Sequence, residues 1–204
     1  MNFFKILFLC VIAYLVGSIP WGLLIGKVFF KKDIRKYGSG NIGGTNAGRV
    51  LGRPIGLLVI FLDAMKAFLF MALCNVLCKD AVPFAGLCCV VGHCFSIITD
   101  FNGGKGVATG FGYLLGLAVF GFEDAVFCFI YPLLIFLLTL GLSRMVSLSS
   151  MVSLLSAAII GFIFFNHKYI AFLTLILAIL VIVRHIPNII RIYNKSESKV
   201  SFLR

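Results

Sequence analysis

Glycines, hydroxyls, carboxamides and a guanidinium crowd one stretch, Tyr37-Gly-Ser-Gly-Asn-Ile-Gly-Gly-Thr-Asn-Ala-Gly-Arg49, set between two long apolar runs. These are residue types that hold anions. Glycine lets main-chain N–H groups converge on a phosphate without a Cβ in the way, Ser39 and Thr45 add hydroxyls, and Arg49 supplies a planar charged fork. A second stretch, Gly103-Gly-Lys-Gly106, repeats the pairing of flexible glycine backbone with a cation, Lys105. Gly92-His93 and Arg184-His185, the latter close to Asn188, stand at the ends of apolar runs. An imidazole there can orient or deprotonate a hydroxyl near neutral pH, or simply satisfy a local hydrogen bond. Together these groups suit the handling of a phosphorylated metabolite at a membrane face.

Two nucleotide patterns occur in letters only. Gly38-Ser-Gly-Asn-Ile-Gly43 satisfies G-x-G-x-x-G, yet it follows an apolar span and a basic hinge, where a dinucleotide fingerprint follows a strand and opens a helix. Gly103-Gly-Lys-Gly106 has Gly106 where a Walker loop needs Ser or Thr for magnesium, and the upstream glycine spacing is missing. Cys88, Cys89, His93 and Cys94 cluster, but the paired short-spacer ligands of a zinc site are absent, so no metal and no cofactor is expected. The seven cysteines lie in apolar runs and are expected to pack as small apolar residues, not to form disulfides.

The elements that must position these groups belong to a bilayer. The chain is 61% hydrophobic and 12% charged, with a mean hydropathy of +1.12, outside the range of soluble domains. Apolar runs at about 3–26, 54–77, 81–98, 107–122, 125–142, 147–165 and 169–186 predict an all-α protein of seven transmembrane helices in one membrane domain over 1–204, with a retained N-terminus and a mobile tail from about 194 to 204. Lys31, Lys32, Arg35, Lys36, Arg49, Arg53, Lys105, Arg144, Arg191, Lys195, Lys199 and Arg204 fall on one side. The other side holds Lys5, Lys79 and Lys168, balanced by Asp80, Glu123 and Asp124. The net charge of +11 therefore reads as topology before substrate attraction: N-terminus outside, C-terminus cytoplasmic, all three polar segments (37–49, 92–106 and 184–197) on the cytoplasmic face. The short run at 107–122 suggests a half-helix whose N–H end faces the polar pocket, or close packing through Gly106/Gly110 and Gly112/Gly116. Asp63 and Lys66, three apart inside a span, should pair or face the protein interior.

Taken in order, Ser18-Ile-Pro-Trp-Gly22, the Tyr37–Arg49 stretch, Leu62-Asp63-x-x-Lys66, Gly92-His93-x-Phe95 with Phe101-x-Gly-Gly-Lys-Gly-Val-Ala-Thr109, and Arg184-His185-x-x-Asn188-Ile189-x-Arg191 closely resemble the bacterial acyl-phosphate:glycerol-3-phosphate acyltransferase family (PlsY type). The resemblance covers nearly the whole chain. It implies a multi-pass enzyme of the bacterial cytoplasmic membrane, active on the cytoplasmic side. It would move a fatty acyl group from acyl phosphate to the 1-hydroxyl of sn-glycerol 3-phosphate, giving lysophosphatidic acid and phosphate in phospholipid synthesis, with no cofactor and no nucleic acid. By similarity the catalytic set is Ser39, Arg49, His93, Lys105 and His185. Gly38, Gly40, Asn41, Gly43, Gly44, Thr45, Asn46, Gly103, Gly104, Gly106 and Asn188 would bind substrate. Ile42 replaces the family's usual proline, Gly44 an alanine, Ala67 a glycine, Ser96 a proline and Asn102 a frequent lysine; Ile186-Pro187 alter the last motif, where Lys195 stands for a glycine before Glu197. The competing reading of the same residues is an organic-phosphate transporter or exchanger, which would need access from both faces.

Overall fold

The computed structural model describes residues 2–200, and among these there is no strand. Helices α1 (Asn2–Gly17), α2 (Trp21–Phe30), α3 (Gly44–Leu51), α4 (Arg53–Leu77), α5 (Val82–Cys94) and α6 (Val107–Val119) precede α7 (Tyr131–Ser143), α8 (Val146–Phe164), α9 (Lys168–Arg184) and α10 (Ile186–Tyr193). The chain divides into two compact units, one reaching Gly116 and the other starting at Leu117.

Among the described residues, five helical stretches are long and apolar enough to cross a bilayer: Phe3–Phe30, Arg53–Leu77, Lys79–Thr99, Val126–Ser143 and Val146–Phe164. A sixth exists if α9 and α10, bent by 58° at His185, count as one. Helix α6 is apolar but short, its 13 residues rising about 20 Å against a hydrocarbon core of about 30 Å. The expected first span, 3–26, is not one helix. It breaks at Ser18-Ile19-Pro20, because proline lacks an N–H and disfavours helical backbone in the residue before it. The span expected at 125–142 opens with a wide turn, Val126–Ile130, before Pro132.

In the first unit, α1 lies against α5 at glycine contacts. A Cβ on Gly17 would overlap the Cys89 carbonyl, and one on Gly92 the Tyr14 carbonyl. That closeness brings polar groups into register: Tyr14 Oη donates to the Phe95 carbonyl (2.7 Å), and Ser96 Oγ to the Ser18 carbonyl (2.6 Å). Ser96, which replaces a proline of the motif, thus stitches the helix break to the end of α5. Helix α3 nests on α4 in the same way, since a Cβ on Gly56 would meet Gly48 Cα at 2.6 Å and the Gly44 carbonyl at 2.8 Å. In lipid, where apolar surface gives helices no preference for each other, such van der Waals and hydrogen-bond contacts carry the association.

The second unit uses side chains to finish helix ends. Buried Glu123 accepts the N–H groups of Asn166 (2.8 Å) and His167 (3.0 Å), placing a carboxylate at the start of α9. Lys168 Nζ donates to the carbonyls of Phe162 (3.0 Å) and Phe165 (3.2 Å) at the end of α8. In the first unit, Lys5 Nζ does the same for Leu77 (2.6 Å) at the end of α4. Two of the few lysines assigned to the outer face therefore also have local work as helix caps.

The glycine contacts yield a check. Gly92→Ala should lower stability by about 1–3 kcal/mol, because overpacking forces backbone apart. Gly141→Ala, with nothing within 4 Å of the added methyl, should be neutral. Thermal unfolding midpoints in detergent compare the two.

Candidate active site

The first loop is built around one carboxamide. Asn46, 1% exposed, donates through Nδ2 to the carbonyls of Ile34 (3.0 Å), Tyr37 (3.2 Å) and Asn41 (2.8 Å), and its Oδ1 accepts the Ser39 N–H (2.9 Å). Gly38 (φ +59°) lies so close to Asn46 Oδ1 that a Cβ would overlap it, so the position admits neither the side chain nor the backbone of another residue without strain. The Gly40 N–H donates to the Tyr37 carbonyl (3.0 Å), and the Gly43 N–H to Asn41 Oδ1 (2.9 Å). Asn46, Asn41 and the amides of Gly40 and Gly43, all expected to face a ligand, are therefore committed to the loop itself. The N–H groups of Gly38, Gly44 and Thr45 make no hydrogen bond among the described residues. Two of these open the first turn of α3, the end of a helix that favours negative charge. Ser39, Thr45 and Arg49 are exposed beside them. Gly44, in place of the motif's alanine, is required by packing, since a Cβ there would overlap Ile60 on α4.

Just upstream, Asp33 caps the Ile34–Lys36 turn and takes a forked bond from Arg35 (2.7 Å at the shorter arm). That guanidinium holds the Asp33 carboxyl down at about 2. Arg35 also feels the charge of Asp100, so the segments before the first glycine loop and after α5 are neighbours.

The second loop lies on His93. The Gly104 N–H donates to the His93 carbonyl (2.9 Å); a Cβ on Gly103 would overlap that carbonyl, and one on Gly104 would overlap His93 Nε2. Gly106, at φ +80°, gives its carbonyl to the first turn of α6 (Gly110 N–H, 2.7 Å), a left-handed position that suits glycine alone. Lys105, between them, is half-buried. Behind the imidazole, Lys66 Nζ contacts His93 Nδ1 (2.8 Å), Asp63 Oδ1 (2.8 Å) and the Ile19 carbonyl in the break between α1 and α2 (3.1 Å).

The second unit holds its own polar cluster at the α9–α10 bend. Buried His185 donates through Nδ1 to the Val181 carbonyl (2.8 Å), and its carbonyl accepts the Asn188 N–H (2.8 Å). Glu197 Oε1 accepts from Asn188 Nδ2 (2.6 Å) and Ser147 Oγ (2.7 Å), and Oε2 from Arg191 Nε (2.8 Å). Where a mobile tail is expected, residues 194–200 are pinned by Glu197 and by the Val200 N–H on the Arg144 carbonyl (2.9 Å); residues 201–204, with Arg204, lie outside the described ones. Lys195 turns this corner at φ +55°, which explains the glycine usual there. Burial opposes ionisation of Glu197, but the bonds from Ser147, Arg191 and Asn188 outweigh it and hold the carboxyl below the usual range. Glu197 and Ser147 are absent from the residues the sequence nominates. The available signal was a lone acid in a basic tail, at the end of the last motif.

Among the described residues no cluster of His, Cys, Asp or Glu could hold a metal ion. A family model for glycerol-3-phosphate acyltransferase matches residues 7–195. The chain belongs to the glycerol-3-phosphate acyltransferase family. Proteins of that name from Staphylococcus carnosus (strain TM300) and Enterococcus faecalis (strain ATCC 700802 / V583) are 40% and 44% identical, each over 97% of this chain and over 99% and 93% of their own lengths. The crystal structure of PlsY (YgiH), an integral membrane glycerol 3-phosphate acyltransferase, in its glycerol 3-phosphate form is similar at a TM-score of 0.86 and 33% identity, over 98% of this chain and 97% of that one. Its lysophosphatidic acid form gives 0.84 at the same identity. The family is thus one of integral membrane enzymes, in keeping with the apolar helices above.

Two outcomes follow from these hydrogen bonds. Asn46→Ala strands the Asn41 carbonyl and the Ser39 N–H and takes one of two donors from the Ile34 and Tyr37 carbonyls, costing about 1–3 kcal/mol, and should open residues 37–43 to proteolysis in membrane vesicles. Because the folded carboxyl of Glu197 is depressed, its contribution is present above the ordinary carboxylate range, about pH 4.3, and is lost as pH falls through the lower folded value. Amide protection factors at Ser196 and Val200 should fall together on acidification, and in Glu197→Gln they should be low and insensitive to pH.

Proposed function

We propose that this protein transfers a fatty acyl group from acyl phosphate to the 1-hydroxyl of sn-glycerol 3-phosphate, making lysophosphatidic acid and phosphate for phospholipid synthesis. The observation that carries this is the near-full-length likeness to PlsY in its glycerol 3-phosphate form. The whole chain acts as one membrane-embedded enzyme domain, since the family match runs across both compact units. Seven crossings, with α6 as the short one, the N-terminus outside and the site on the cytoplasmic face of a bacterial inner membrane, agree with the distribution of lysine and arginine.

The chemistry asks little of the protein beyond placement. An acyl phosphate is a mixed anhydride with a good leaving group. The glycerol oxygen bonds to the acyl carbon, the bond from that carbon to the bridging oxygen breaks, and phosphate departs. No enzyme nucleophile is needed; the gain comes from holding two anions so that the hydroxyl meets the carbonyl. The free N–H groups at Gly38, Gly44 and Thr45, with Ser39 and Arg49, suit one phosphate. Lys105 and the Gly103–Gly106 turn supply a second basic, glycine-lined segment, and by the family motif His185 and Asn188 serve the same reaction. The hydroxyl proton can leave on the departing phosphate. The acyl chain lies among apolar helices.

Purified protein in detergent, given both substrates, should form lysophosphatidate and phosphate in equal amounts. No turnover, together with labelled phosphate uptake in proteoliposomes, would make the chain a transporter instead. Arg49→Ala and Lys105→Ala should each lower kcat/KM by about tenfold or more, equivalent to about 1.4 kcal/mol of transition-state binding. Full activity in either variant would remove that residue from the site.

A further inference from the structure

Lys66 is buried to 6% exposure, and its three contacts, Asp63 Oδ1, the Ile19 carbonyl and His93 Nδ1, match the three protons of an ammonium. An ammonium has no lone pair, so every partner must accept. His93 Nδ1 therefore presents its lone pair, and the ring's proton sits on Nε2. The reverse arrangement, with the proton moved from Lys66 to His93, would place the charge farther from the Asp63 carboxylate, 3.4 Å at His93 Nδ1 against 2.8 Å at Lys66 Nζ. Protonating His93 as well would set two cations 2.8 Å apart in a site closed to water, with one carboxylate, Asp63, to offset both. Asp63 and Lys66 on α4 and the Gly104 backbone on the second loop lie against the imidazole, and the thiol of Cys89 lies within electrostatic reach of both α4 charges.

We propose that Lys66 is a positioning residue that fixes His93 as an Nε2–H donor at the second glycine loop, so that His93 supplies a hydrogen bond to a substrate oxygen and does not take the hydroxyl proton. This deepens the acyltransferase assignment and rests on it. The Nε2 edge lies against Gly104, where any larger residue would overlap it, so the donor and the Gly103–Gly106 turn form one unit. The oxygen served is an anionic one, on a phosphate or on the acyl carbon as charge develops there; a fixed donor aimed at such an oxygen needs no reorganisation during the reaction. The other histidine of the motifs, His185, donates from Nδ1 instead.

Nitrogen-15 NMR of histidine-labelled protein in lipid tests this without a change at Lys66. The His93 signals, identified by their loss in His93→Gln, should show Nδ1 unprotonated and Nε2 protonated from about pH 6 to pH 8. A protonated Nδ1 anywhere in that range overturns the proposal. Activity gives an independent arm. In His93→Gln the amide nitrogen can donate near the Nε2 position but cannot act as a base, so kcat should stay within about tenfold of the native value, while His93→Ala should lose about a hundredfold. Equal losses in both variants overturn the donor role. In the charge-balanced pair Asp63→Asn with Lys66→Met, His93 should begin to titrate, and kcat should fall with the KM for glycerol 3-phosphate nearly unchanged; an unaltered tautomer with no titration would overturn the role of Lys66. Native protein with no turnover at all would sink the acyltransferase assignment, and the tautomer measurement would still decide the proton's place.

Discussion

A lysine ammonium inside an apolar span must have all of its protons accepted, and in the first unit much of the architecture answers to that need. A charge at the centre of a bilayer helix costs about 2.5–3.5 kcal/mol on insertion scales, less when it is paired and fully hydrogen-bonded. Lys66 meets the condition with a carboxylate from its own helix, an imidazole from α5 and a carbonyl from the break between α1 and α2. A continuous first helix would bond that carbonyl internally. The Ser18-Ile19-Pro20 break frees it, and Lys66 in turn ties the break to α4. One ammonium thereby holds the helix that leads into the first glycine loop and the histidine on which the second one lies.

The glycines divide into three kinds of work, which the letters of the sequence do not distinguish. Gly17, Gly92, Gly48 and Gly56 let helices touch. Gly38 and Gly106 hold left-handed backbone at a turn. Gly44 combines close packing with a free N–H at the start of α3. A loop that must hold an anion by its backbone has to be held by something else first. Asn46 does this from inside, leaving the outward N–H groups of Gly38, Gly44 and Thr45 unspent.

Much of this was legible in the chain as written. Apolar runs located the helices, charge spacing picked out Asp63 with Lys66, and ordered motifs pointed to the family. What was hidden is hydrogen bonding over distance. Nothing local says that the Asn46 amide would be consumed by carbonyls of residues 34, 37 and 41, or that Glu197 would reach back to Ser147, fifty residues away in the chain. The tail looked mobile because it is short of apolar residues; residues 194–200 are pinned by the Glu197 carboxylate and the Val200 N–H. The helix break at Pro20 had its signal in the sequence, yet hydropathy averaged over a long window smooths a three-residue interruption into one span.

In the proposed reaction two held anions suffice, with direct attack on the acyl carbon and no acylated enzyme. Single-turnover quench with labelled acyl phosphate tests it. With glycerol 3-phosphate withheld, phosphate should not be released beyond the spontaneous rate, and adding glycerol 3-phosphate should release phosphate and lysophosphatidate together in one phase. A stoichiometric burst of phosphate with label left on the protein, in the absence of glycerol 3-phosphate, would contradict it.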